Sequence, residues 1–232
     1  MTEPEGRGES TAEAIAESLR TPRAAAIAGL AFCVIMLTSW VLIRLAVPVG
    51  EIGSEVVSLD ERQLTMLRVS TALVPFAGIS FLWFIGVIRS QIGVHEDRLF
   101  ATVFLGSSLI FVALLFVGTA AIVSIIVVSS EGVGIQADLQ IYAGRFFQEV
   151  LTGYAARMAG VSVIAITTLG RRSRTMPKWL VVVGYAAGLG LLIAPFGVRF
   201  AELLFPLWAG VFSVYVFVRS SRHEKSLPTA PQ

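Results

Sequence analysis

Hydrophobic positions along this chain gather in six long blocks rather than in the short alternations of a soluble fold. Runs free of Asp, Glu, Lys and Arg occupy residues 24–43, 69–88 and 179–198, 20 residues each, and residues 99–130, a run of 32. Residues 203–218 give a run of 16 that residues 199–202 complete, and 150–170 gives 21 residues interrupted only by Arg157. A helix rises 1.5 Å per residue and needs about 20 apolar residues to cross a hydrocarbon core about 30 Å thick, so each block predicts one spanning helix. The 32-residue run is too short for two spans and a turn and predicts one tilted, overlong helix. The expected fold is all-α, a polytopic six-helix bundle with spans at about 24–46, 66–88, 99–128, 150–170, 179–198 and 200–218. Tails at 1–23 and 219–232 flank it.

The polar intervals predict an orientation. Of the 18 basic residues, twelve fall in alternate intervals. They are Arg7, Arg20 and Arg23 before the first span; Arg89 and Arg98; Arg171, Arg172, Arg174 and Lys178; and Arg219, Arg222 and Lys225 after the last. Basic loops face the cytoplasm, so both termini are expected inside. Trp40, Trp83 and Trp179 fall near span ends, as an interfacial belt requires, whereas Trp208 falls within a span.

Little outside the spans predicts structure. Ser10-Thr11-Ala12-Glu13 matches a capping box for a short helix before Pro22, with a solvated tail as the alternative, and 226–232 reads as disordered. The acidic interval 47–65 is either a surface helix or a hydrated loop. Gly184-x-x-x-Gly188, with Gly190, gives the fifth span a small face suited to close helix contact. The two halves share no matching sequence of the kind an inverted repeat would leave.

Composition agrees with the blocks. Of the 232 residues, 55% are hydrophobic and 15% are charged. Soluble proteins carry about 25% charged residues. The net charge of +2 follows from basic loops and does not call for nucleic acid. The opening Thr2-Glu3-Pro4-Glu5 is acidic and the first apolar run is long, which argues against a cleaved leader. Cys33, His95 and His223 form no ligand cluster, and no metal or cofactor is expected.

The informative residues are charges in costly places. Counting inward from the basic ends puts Arg44, Arg68 and Arg199 near the outer interface, Glu202 about 5 Å below it and Arg157 about 9 Å below it. Arg157 either reaches up to headgroups or faces the bundle and pairs with Glu202 or Glu149. On a continuous α-helix Arg145 and Glu149 lie about 40° apart and Glu149 and Arg157 about 80° apart, a series of alternating charge along one broad side. Guanidinium groups from four helices suit carboxylate or phosphate, which they bind bidentately. The expected ligand-binding set is therefore Arg44, Arg68, Glu149, Arg157, Arg199 and Glu202.

Motifs for chemistry are missing. The chain has no GxxxxGK[ST], no GxGxxG, no HExxH and no GxSxG, and no span holds an Asp. No catalytic residue is assigned, and a non-enzymatic protein is expected.

The stretch Phe81-Leu82-Trp83-Phe84-Ile85-Gly86-Val87-Ile88-Arg89 through Glu96-Asp97-Arg98-Leu99-Phe100-Ala101-Thr102-Val103-Phe104-Leu105-Gly106-Ser107 resembles a stretch of bacterial, actinobacterial multi-spanning membrane proteins without an assigned activity. The resemblance covers the second and third spans and their loop, and it implies a cytoplasmic-membrane address. Arg89, Glu96, Asp97 and Arg98 there suggest a salt-bridged turn or a docking site. The expected function is binding or transport of an anionic or lipid-like ligand through an outer-leaflet polar pocket, with the bilayer as the main partner. The alternatives are a subunit of a larger membrane complex and a proton-coupled carrier using Glu202.

Overall fold

The computed structural model describes residues 22–47, 60–91, 98–130, 137–193 and 201–224, and among these every regular element is helical. In chain order they are α1 (Pro22–Ala46), α2 (Glu61–Gln91), α3 (Arg98–Ser130), α4 (Ala137–Gln148), a π-helical segment (Glu149–Ala155), α5 (Ala156–Arg172), α6 (Lys178–Ile193) and α7 (Ala201–Glu224). Five helices are long and apolar enough to cross a membrane, counting Ala137–Arg172 as one continuous helix of 36 residues. Their length and composition make the chain a multi-pass membrane protein. Helix α6 is apolar but has 16 residues, and the rest of the interval expected to complete it lies outside the described residues. The same holds for the Ser10–Glu13 capping box, residues 48–59, the Glu96–Asp97 turn and the 226–232 tail.

The start of α2 shows why it begins five residues before the expected 66. The Asp60 N–H donates to Gln63 Oε1 at 2.8 Å and the Gln63 N–H donates to Asp60 Oδ1 at 2.7 Å. This reciprocal cap satisfies two donors that a helix start leaves unpaired, and it nucleates the helix above its apolar run. Within α2, Pro75 removes one backbone donor. One turn away, the Ser39 hydroxyl of α1 donates to the Ser70 carbonyl at 3.1 Å.

Two packing modes hold the bundle. Helices α1, α2, α3 and α7 meet through Phe32, Phe81, Phe111 and Phe205. Ring centroids are 4.7 Å apart for Phe32–Phe81, 5.6 Å for Phe81–Phe111 and 4.7 Å for Phe111–Phe205. Tilted and edge-on contacts of this kind suit the ring quadrupole. Phe84, Phe212 and the buried Trp208 extend the cluster along α2 and α7.

Helices α5 and α6 pack instead through backbone. A Cβ on Gly160 would lie 2.8 Å from the Gly188 carbonyl oxygen, and one on Gly188 would lie 3.0 Å from that of Gly160. Gly184 sits just as closely against the Thr167 side chain of α5, so Gly184 and Gly188 serve this crossing, while Gly190 meets Leu204 of α7. A buried hydrogen bond of 2.7 Å between the Ser108 and Ser162 hydroxyls ties α5 to α3.

The α5–α6 turn is a Schellman motif. Thr175 N–H donates to the Gly170 carbonyl at 3.0 Å and Arg174 N–H to that of Arg171 at 3.3 Å, with Arg174 at φ 54°. Glycine is the usual occupant of that left-handed position, and a side chain there costs on the order of 1 kcal/mol.

Candidate functional site

Contacts along α3 set the relative heights of the described charges. On α3, Ser108 faces Ser162 of α5 and Gly118 faces Val150 and Leu151 of the π segment. Interpolation puts Arg157 level with Val112, close to the middle of the 33-residue α3. At the far end Ile126 of α3 clusters with Ala46 of α1, the following Val47 and Leu67 of α2. Arg44 and Arg68 flank that cluster, so the structure brings their helix ends together.

Arg157 is elsewhere. Its backbone lies about 20 Å along α3 from the Ile126 level, at 1.5 Å per residue. The count from span ends expected Arg157 about 9 Å below Arg44 and Arg68, and the register along α3 separates them further. By the same register Arg145 joins the Arg44–Arg68 level, although the spacing analysis used it only as the start of a charge series. Arg199 lies outside the described residues, as does the side chain of Glu202. The backbone of Glu202 is one turn before Phe205, which touches Phe111, so it falls close to the Arg157 level.

Local geometry differs around each. The Arg44 guanidinium lies 4.9 Å from the Trp40 ring centroid, a cation–π contact one turn back on α1. Arg68 and Glu149 are exposed on the protein surface. Arg157 is half-buried and donates from Nη1 to the Gly153 carbonyl oxygen. Side chains on a helix lean toward its N-terminus, so this reach follows the Cα–Cβ direction and turns the charge toward the Arg44 end.

The carbonyl it meets belongs to the π segment. The Ala156 N–H bonds to Leu151 O, five residues back, where an α-helix would bond four. The wider turn means that the rotation of about 80° between Glu149 and Arg157, expected for an α-helix, does not hold. Arg145 and Glu149 lie before the π segment or at its start, and Arg157 follows it. Such segments carry loosened carbonyls and recur at functional positions. Nothing in the residue pattern of 149–155 announced it.

Other buried polar atoms are dispersed. Thr167 Oγ1, Trp208 Nε1 and Ser213 Oγ have no hydrogen-bond partner among the described residues. Thr167 packs against Gly184 on one side of the bundle and Ser213 against Gly29 on another. Among the described residues no three His, Cys, Asp or Glu side chains gather. Compared with family models, curated proteins and solved structures, the chain matches none of them.

Proposed function

We propose that this multi-pass protein is a six-span bundle with both termini cytoplasmic that binds an anionic, lipid-like ligand. Arg157 is its deep anchor, and Arg44, Arg68 and Arg145 form the rim that recruits it from the outer leaflet. The supporting observation is the height of Arg157, close to the middle of the 33-residue α3 and half-buried in the bundle. An arginine at that depth costs about 2.5–3.5 kcal/mol on insertion scales. A cation held at such cost, fixed on a π-segment carbonyl, marks a place where an anion is met. Arg199 and Glu202 belong to the reading by their places in the sequence. Carboxylate or phosphate would bind the planar guanidinium bidentately.

The test is mass spectrometry of anionic lipid or other acid retained after gentle detergent extraction. Arg157→Ala is expected to lower retention more than tenfold while the protein stays monodisperse. Equal retention by a folded variant overturns the anchor.

A second reading rests on the backbone of Glu202 lying near the Arg157 level. In it, protonation of Glu202 releases the guanidinium, and the protein works as a proton-coupled carrier. Reconstituted protein then shows anion uptake driven by a pH gradient, and Glu202→Gln abolishes it. Wild-type protein without gradient-driven uptake excludes the carrier and leaves the binding reading standing.

A further inference from the structure

The turn that joins α5 to α6 carries four cations, Arg171, Arg172, Arg174 and Lys178, all exposed. No Asp or Glu occurs between Glu149 and Glu202, so the charge of this hairpin is uniformly positive. Its backbone is held rigidly. Thr175 N–H and Met176 N–H both donate to Gly170 O, and the Thr175 carbonyl accepts from Tyr215 Oη at 3.0 Å and from Arg219 Nη1 of α7. Arg172 is laid over the Phe100 ring of α3 at 4.8 Å, and the exposed Trp179 stands edge-on to Tyr215.

Arg174 occupies the one left-handed backbone position of a non-glycine residue among the described residues. Glycine or asparagine would serve the turn better, so the turn itself gives no reason for the arginine. The guanidinium it carries does.

We propose that this turn is a preformed site for the headgroup of an anionic phospholipid in the leaflet it faces. Arg171, Arg174 and Lys178 bind the phosphate, Arg219 locks the turn, and Trp179 lies at headgroup depth. Charge complementarity selects the occupant, since a loop between two apolar helices meets headgroups before any other anion. The site is at the opposite end of the bundle from Arg44 and is independent of the Arg157 anchor.

The full-length protein in detergent is titrated with short-chain phosphatidylglycerol, phosphatidylcholine or inorganic phosphate while its thermal unfolding is followed. Phosphatidylglycerol is expected to stabilise it and the other two are not. In Arg174→Gly the unfolding midpoint without lipid rises by about 2–4 °C, while affinity for phosphatidylglycerol falls about fivefold. In an Arg157→Ala background, which removes the deep anchor, the triple change Arg171→Gln, Arg174→Gln, Lys178→Gln abolishes the remaining preference. Equal stabilisation by phosphatidylcholine or by free phosphate overturns the proposal, as does an Arg174→Gly protein with undiminished affinity.

Discussion

Substituting Leu for Arg157 shifts the apparent free energy of membrane insertion of the 150–170 segment by about 3–4 kcal/mol toward the inserted state. The magnitude follows from depth. Arginine costs about 2.5–3.5 kcal/mol at a helix centre and leucine contributes a few tenths of opposite sign, whereas near an interface the difference collapses. Measured by the glycosylation pattern of the segment in a microsomal insertion assay, the shift reads the height of Arg157 directly. A change below about 1 kcal/mol would place the side chain at the headgroups. It would also undo the register drawn from Ser108–Ser162 and Gly118–Val150. The substitution separates two roles as well. A structural cation leaves ligand retention alone when replaced, while an anchor loses it.

The second large effect is at the α5–α6 crossing. Gly160→Leu is expected to destabilise the purified protein by about 3 kcal/mol or more, lowering the thermal midpoint by about 6–12 °C. The new Cβ would stand 2.8 Å from the Gly188 carbonyl oxygen and 3.1 Å from Leu191 Cβ. The first of these neighbours is backbone and cannot rotate aside, so the helices must part, opening the Thr167–Gly184 contact as well. Gly106→Leu is the control, because a Cβ there meets nothing within 4 Å. Similar losses at both positions would mean that lipid-facing and crossing glycines are equivalent, against the packing described.

Much of the helical layout was legible in the sequence, because a hydrocarbon solvent writes length and apolarity into every span. The 32-residue run became the single helix α3, and the Gly184–Gly188 face found its neighbour in α5. The Asp60–Gln63 cap was equally legible, as a D-x-x-Q pattern, but the acidic interval around it was read as one block. Depth was not legible. Counting about 20 residues from Gly170 assumes a span of minimum length. The helix Ala137–Arg172 runs 36 residues and α3 runs 33, both longer than that minimum. The π segment left no trace because a change of hydrogen-bond partner from the fourth to the fifth residue needs no special composition. Of the candidate site, residue types were readable and relative heights were not.

The phenylalanines at the centre have a consequence for how Arg157 is reached. Phe32, Phe81, Phe111 and Phe205 fill the axis between α1, α2, α3 and α7 ring against ring, an apolar core in which a charged group would lose its hydration without gaining a polar partner. Under the proposed function a visitor must slip in sideways from among the acyl chains. That doorway admits amphiphiles and turns away dissolved salts, so selectivity begins with the path taken before any charge is met.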